Sequence, residues 1–461
     1  MKFITVLLSI LLLYSCSNIK EQGDKSVAVV RQMYDLVHNP NANQTEISGL
    51  QLVLIKNGKI TFEHAEGIAT IADNGETKPL TIDHKVRVAS ISKFVLTLAF
   101  MSLVEDGSVN LDEDISHYLG YWVRNPNFPD IIITSRQLLA HVSSVRDAGR
   151  YFLALGEGFE DFFKPSKYYV GGKHFAESVG QEPGKYFTYS NLNFGIIAGI
   201  IENVSGQRFD LFVKEKLFKP LDLDVSFNTC DLAKNNFQSL ATLFRRGDGG
   251  DTWDVNGPWK QQVDGNSISC YYGGPSYSRT EQPQTSKLNS YKIGSNPTLF
   301  SPQGGLRASA KDLATIMQLV ISLYSSNNDN SAQNIISKSS IDKMLFAEWQ
   351  YSPNSRNGNI LGEDKPADYK LTGLMTAYGL STHIIDLKDW GLASTSKKYY
   401  GHLGSAYGLQ GQFWFDPLTG DGFVALITGM GSDPEIPESA TPMFAIEETV
   451  LRLALSGLNS I

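Results

Sequence analysis

The chain has 461 residues, 42% of them hydrophobic, enough for one large mixed domain or two smaller ones with a sizeable core. A formal net charge of −8, with no lysine- or arginine-rich block longer than a pair, gives no basic field for a polyanion and argues against nucleic acid as a partner. No histidine or cysteine pair has zinc-site spacing, so neither a metal nor another cofactor is expected.

Met1 to Leu13 is a short cationic start followed by an apolar stretch too short for a comfortable membrane span, the pattern of an export signal. Leu13-Tyr14-Ser15-Cys16 directly after it resembles the lipobox at which bacterial lipoproteins are cleaved and acylated on the cysteine. By that resemblance residues 1–15 are a signal peptide and Cys16 is the lipidated mature N-terminus. Residues 16–47 then form a linker and helix, and the protein sits in the cell envelope, anchored to a bacterial membrane and facing periplasm or exterior. Tyr14 departs from the pattern, since a smaller residue is usual there, and an ordinary secretory signal is the alternative. In either compartment Cys230 and Cys270 are a pair permitted to bond, a question that sequence separation leaves open.

Lys25 to His38 carries Val27, Val30, Met33, Tyr34 and Val37 at helical spacing, and Pro40 ends the pattern. Leu50 to Lys56 and Lys59 to Glu63 flank Asn57-Gly58, a strong two-residue hairpin signal because both positions tolerate positive φ. Ile91 to Glu105 is apolar on most sides and is followed by Gly107, which predicts a buried helix with a glycine stop. Further helices are expected at Ser135 to His141 and Asn193 to Asn203, within an inserted, mainly helical region of about 108–300. From Gly247 to Ser301 the chain is dense in Gly, Ser, Asn, Gln, Pro and Tyr, with Trp253 and Trp259 among polar neighbours. That composition predicts a long ordered loop region that can wall a substrate site. A second hairpin is expected from Leu409 to Phe415 and Gly422 to Thr428, then a helix from Met443 to Leu455.

Ser90-Ile91-Ser92-Lys93 places a serine at a helix start, one turn from a lysine whose amine can reach the hydroxyl. The tetrapeptide alone discriminates nothing, because Ser17–Lys20, Ser340–Lys343 and Ser394–Lys397 match it too. Ser90 is distinguished by leading into a long apolar helix. Tyr189-Ser190-Asn191 follows Pro183-Gly184 and precedes an apolar helical stretch, and His402-Leu403-Gly404 is the only H-x-G in the chain.

In this order the three elements resemble the class C β-lactamase and penicillin-binding-protein-like serine hydrolase family, which includes D-alanyl-D-alanine carboxypeptidase-like members. The family has S-x-x-K, Y-x-N and K-T-G or H-x-G. Thr134 to His141, Pro183 to Asn191 and Ser301 to Leu306 also look like family blocks, so the resemblance covers roughly Leu50 to Gly429. His141-Val142-Ser143-Ser144 departs from the usual H-T-S-G.

The resemblance implies an α+β, β-lactamase/transpeptidase-like fold over residues 48–461: an antiparallel sheet flanked by helices, with the site in the cleft beside the inserted region. It makes Ser90 the nucleophile and has Lys93 and Tyr189 share the proton transfers, with the base between them left open. Asn191 contacts the substrate, and the backbone amides of Ser90 and Ser405 hold the oxyanion. His402 and Gly404 border the substrate, with Gly404 letting an extended substrate approach an edge strand.

Histidine in place of lysine offers no permanent charge for a carboxylate, which places D-peptidase, amidase or esterase activity ahead of β-lactamase. A penicillin-binding or muropeptide-sensing protein that acylates but barely turns over is a further alternative. Arg307 is a candidate carboxylate contact, with an ordinary surface arginine as the alternative. The expected partners are a small peptide, amide or ester, peptidoglycan-derived fragments included, and a membrane through the lipid anchor. Taken singly, Ser90 also reads as a helix cap, Tyr189 as core packing and His402 as an ordinary strand-end histidine.

Overall fold

The computed structural model describes residues 25–40, 46–247, 254, 256–281, 283–284, 286–326, 335–360, 373–430 and 441–460. The export segment, Cys16 and Trp253 lie outside the described residues. Strands, in chain order, are β1 Ile47–Lys56, β2 Lys59–Ile71, β3 Thr77–Pro79, β4 Val86–Arg87, β5 Leu243–Arg246, β6 Trp259–Val263, β7 Ser267–Ser269 and β8 Ser276–Ser278. They continue with β9 Arg307–Ala308, β10 Trp349–Gln350, β11 Ala377–Tyr378, β12 His383–Asp386, β13 Lys398–Ala406, β14 Leu409–Asp416 and β15 Asp421–Met430. Helices are α1 over 25–38, α2 Ile91–Glu105, α3 Ile115–Leu119, α4 Ser135–Leu139, α5 Leu192–Ser205, α6 Phe209–Val213, α7 Lys234–Gln238, α8 Ala310–Ser325, α9 Lys338–Leu345 and α10 Ala445–Ser460.

The main sheet runs β10-β11-β12-β13-β14-β15-β1-β2-β3 with every neighbour on that path antiparallel, and β5 and β6 extend it beside β15. Both expected hairpins form. Asn57 and Gly58 both have positive φ, and Lys56 pairs with Lys59 across them. The second hairpin closes through the pair Asp416–Asp421.

Both faces of the central strands are covered, which is why β1, β14 and β15 read as continuous apolar runs despite antiparallel pairing. Alternate residues go opposite ways. Leu50, Leu52 and Leu54 join Met33 of α1 and Val450 of α10, while Val53 and Ile55 join α2 and α8.

α1 and α2 keep the expected bounds, and the other expected helices are present with shifted ends, because capping by side chains and tertiary contacts, absent from a periodicity reading, decides where they stop. Thr134 and Gln137 form a reciprocal capping box that starts α4, and α4 ends at Leu139 rather than His141, whose φ of 57° leaves the helix. The region expected as loop from Gly247 to Ser301 carries three short strands, β6, β7 and β8. Their polar residues hide them from a pattern search; β6 is held by β5, and β7 and β8 pair with each other. Cys230 and Cys270 are joined, their Cα atoms 5.0 Å apart, within the ordinary span of a disulfide.

α2 is buried nearly throughout, and its N-terminus abuts β13 and β14. A Cβ on Gly404 of β13 would lie 2.5 Å from the Val88 carbonyl oxygen, and one on its register partner Gly411 would lie 3.0 Å from Ile91 Cδ1. The two glycines thus let the start of α2 settle onto the sheet. Gly404 is thus needed by the protein's own backbone. Up to Gly401, β13 pairs on both sides; from His402 to Ala406 its described pairing is with β14 alone, so the site end of the strand is an edge.

Gly404→Ala meets immobile backbone and is expected to cost about 1–3 kcal/mol in denaturant unfolding, whereas Gly411→Ala meets a side-chain tip and should cost less than about 1 kcal/mol. Equal small effects would sink this account of the contact. His383, in β12, is fully buried with its Nε2 donating to the Leu374 carbonyl at 2.6 Å, and burial pushes its pKa down to about 4. The unfolded chain takes this proton near 6.5 and the folded one only near 4. Stability from this group is therefore complete above about pH 6.5 and is lost as pH falls toward 4, by about 3 kcal/mol. Urea titrations at pH 7 and 4.5 should show that loss, and His383→Gln, which can still donate to Leu374, should reduce it.

Candidate active site

β4 pairs with β9, and the chain then turns through Ala89, whose φ of 47° lies in the left-handed region that side chains disfavour. The turn delivers Ser90 to the N-cap of α2, yet the Ser90 hydroxyl makes no bond to the helix amides. Its Oγ stands 2.9 Å from Lys93 Nζ instead. Ser90 is therefore not spent as a cap. Ser340, from a rival tetrapeptide, gives its hydroxyl to Glu105 at 2.6 Å.

Lys93 is buried completely and also donates to Asn191 Oδ1 at 2.8 Å and to the Gln303 carbonyl at 2.9 Å. Gln303 is presented by a tight turn in which the amides of Gly304 and Gly305 both bond the Ser301 carbonyl. That turn is tied to α2 by Val88 N–H donating to Leu306 O and by Leu306 N–H donating to Ser92 Oγ. Asn191 precedes α5, and its amide is oriented by Asp147: Asn191 Nδ2 donates to Asp147 Oδ2 at 2.9 Å, which turns Oδ1 toward Lys93. The other Asp147 oxygen accepts from Ser190 Oγ at 3.0 Å and from Leu192 N–H at 2.8 Å, capping α5 at the same time.

The Tyr189 ring lies 4.8 Å from Lys93 Nζ and stacks on His141, centroids 4.3 Å apart. His141 accepts the Ser190 N–H through Nδ1, and burial, with the Lys93 charge adding, holds it well below the usual histidine range. His402 is buried too. Its Nδ1 faces the Leu403 carbonyl at 2.6 Å and so carries the proton, while its Nε2 accepts the Tyr378 hydroxyl at 2.8 Å. Burial first, and Lys93 second, keep His402 well below the usual histidine range, so it is a neutral ring at pH 7. Burial holds the Tyr378 phenol well above its ordinary value, consistent with its role as donor.

A cleft of about 330 Å³ opens over these groups, with Ser90, Tyr189, Asn191 and Ser405 on its walls. Tyr272 and Ser301 line it as well, so the polar region before Ser301 does wall the site. His402 and Gly404 stand behind the wall, acting through Tyr378 and the backbone. Arg307 departs from both readings offered for it: it is buried, and it is paired with Asp264 through two contacts of 2.8 and 2.9 Å. Its guanidinium is committed because Asp264, distant by 43 residues, folds against it. Asp147, Gln303 and Tyr378 escaped the sequence reading. Asp147 sits six residues after His141, three beyond the stretch that departs from the family pattern, and Gln303 contributes a backbone oxygen, which no side-chain motif reports.

The Beta-lactamase family model matches residues 27–446. Among curated proteins, Protein flp of Staphylococcus aureus (strain N315) is 25% identical over 193 residues, 42% of this chain and 37% of that protein. The match thus spans little more than a third of that relative's length. Among solved structures, EstCE1, described as a hydrolase with promiscuous acyltransferase activity, superposes with a TM-score of 0.60 at 18% identity, covering 95% of this chain and 99% of that one. The D-amino acid amidase of Ochrobactrum anthropi SV3 gives a TM-score of 0.56 at 19% identity, covering 96% and 99%. These two likenesses speak to the fold. With the family model spanning nearly the whole described chain and the site built as above, the protein belongs to the Beta-lactamase family and is a serine hydrolase of that family.

Proposed function

We propose that the protein is an exported, lipid-anchored hydrolase that forms an acyl-enzyme on Ser90 and cleaves D-amino-acid peptide, amide or ester bonds in the cell envelope. The observation that carries this reading is the buried Lys93 amine holding Ser90 Oγ at a helix start that faces the cleft. As a neutral amine Lys93 has two N–H groups, which the acceptor-only Asn191 Oδ1 and Gln303 carbonyl can take, leaving its lone pair for the Ser90 proton. Tyr189, close to the same amine, shares the transfers that protonate the leaving group and activate the deacylating water. Backbone amides of Ser90 and Ser405 receive the oxyanion, aided by the positive end of α2.

The neutral, engaged His402 supplies no fixed cation for a β-lactam carboxylate, which weighs toward a D-peptidase, amidase or esterase. The D-amino acid amidase among the similar structures supports the substrate class, and EstCE1 the ester alternative. Export through residues 1–15 and lipidation of Cys16 rest on the signal-like start, and the joined Cys230–Cys270 pair agrees with an oxidising compartment. Residues 16–47, a linker and helix of which α1 packs on the sheet, then precede the hydrolase domain of 48–461, whose inserted region spans about 108–300.

Intact-mass analysis of the full-length protein in detergent, with a fluorophosphonate and separately with a penicillin, tests the reading. One fluorophosphonate adduct that disappears in Ser90→Ala is expected, together with a long-lived penicillin adduct and a diacylglyceryl mass on Cys16. Rapid clearance of penicillin would instead indicate a β-lactamase, and an acyl-enzyme on D-peptides that persists for hours would indicate the slowly turning-over sensor. Absence of any adduct on the wild type would overturn the acyl-enzyme.

Asp147→Asn keeps an oxygen to cap α5 but turns an N–H₂ toward Asn191, favouring the flipped amide. A fall in kcat of about 10- to 100-fold is expected, with KM within about threefold and the unfolding midpoint nearly unchanged. A parallel loss of stability with no kcat effect would show that Asp147 is only a cap.

A further inference from the structure

A second cavity, of about 440 Å³, adjoins the cleft, and Arg87, Tyr272, Ser301 and Tyr407 belong to the walls of both. Its remaining wall mixes amide, hydroxyl and aromatic groups, including Gln262, Ser267 and Tyr271, and it is braced at Cys270 by the disulfide to Cys230. No step of the acylation described above uses this space.

The charges around it do not balance. Arg307 occupies both carboxylate oxygens of Asp264, and Arg279 donates to the Asp264 backbone carbonyl. Arg87, half-buried at the junction of the two cavities, donates through Nε to the Gly304 carbonyl at 2.9 Å and lies over the Tyr407 ring at 5.1 Å. Among the described residues no carboxylate pairs with Arg87, and its two terminal nitrogens have no hydrogen-bond acceptor. Burial, followed by the neighbouring Arg307, pushes Arg87 below the ordinary arginine range, the direction expected of a cation short of counter-charge. On the same cavity wall the Tyr271 hydroxyl is buried without a hydrogen-bond partner among the described residues. A buried donor left unpaired is costly and is normally satisfied by something.

We propose that Arg87 anchors a carboxylate carried by the substrate, and that the adjoining cavity houses the polar arm that bears it. A guanidinium held at Nε still presents two parallel N–H groups, the fork that matches a carboxylate. This replaces Arg307 with Arg87 as the carboxylate contact. It also separates the anchor from the third motif, where His402 is neutral and turned inward. The inference rests on the Ser90 acyl-enzyme, since it concerns which acyl donors that serine prefers.

The test uses the full-length protein in detergent and two sets of esters. Mono-4-nitrophenyl succinate, glutarate and adipate place the charge on the acyl side, and 4-carboxyphenyl butyrate places it on the leaving group; each is compared with its primary-amide analogue. Wild type is expected to prefer at least one carboxylate over its amide by about 10- to 100-fold in kcat/KM. Arg87→Gln, which still offers a donor to Gly304, should bring that ratio to within about threefold of one, and Arg87→Lys should restore part of it. Ser267→Trp, on the exposed face of β7, should fill the cavity and lower kcat/KM for the preferred carboxylate ester. That variant keeps the proposal testable if Arg87 variants fold poorly.

No carboxylate preference in the wild type, or a preference that survives Arg87→Gln or Ser267→Trp, overturns the proposal. If Ser90 takes up no ester and no fluorophosphonate, the acyl-enzyme reading fails by itself. Glutarate against glutaramide, compared by the rise in unfolding midpoint, then still reports on Arg87.

Discussion

A lysine amine with no exposure to solvent is affordable only where oxygen atoms converge on it, and in this protein they come from its own helix and from two distant parts of the chain. Ser90 lies one helical turn away, Asn191 stands 98 residues on at the start of α5, and the Gln303 carbonyl lies 210 residues on in a tight turn. Burying an amine without such partners costs several kcal/mol, so the cluster forms only when all three segments are docked. The site is thereby made a readout of complete folding.

Each supporting element is arranged around that requirement. The sheet is packed on both faces, so α2 is held by rigid layers and not by a mobile loop. Gly404 and Gly411 remove the Cβ atoms that would hold α2 away from the sheet, bringing Ser90 to the open edge of β13 beside Ser405. Asp147 serves twice, capping α5 with one oxygen and orienting Asn191 with the other. The buried histidines His141 and His402 stay neutral, so the field around Lys93 is set by dipoles and hydrogen bonds.

Beyond the serine, the cleft is asymmetric in charge. A histidine whose two nitrogens face Leu403 and Tyr378 opens the third motif and supplies no fixed cation there. Two cations reach the cleft wall, Arg245 and Arg87, the latter three residues before the serine and shared with the adjoining cavity. Moving positive charge from one wall to another, with the fold unchanged, is how a common acylating centre can be redirected to different acyl donors.

The Asn57-Gly58 hairpin, the apolar α2 and the three motifs were legible in the sequence because they depend on neighbours a few residues away: paired positive φ, helical spacing and a one-turn reach from serine to lysine. They were sufficient to identify the family and the chemistry expected of it. The strands from Trp259 to Ser278, the joined cysteines, the Arg307–Asp264 pair, the inward turn of His402 and the contribution of Asp147 were decided by tertiary structure alone. Apart from β7 and β8, which pair with each other and are hidden by their polar composition, the deciding partner lies outside the local segment or is a backbone oxygen, and neither periodicity nor motif spacing carries information about which separate groups will be brought together.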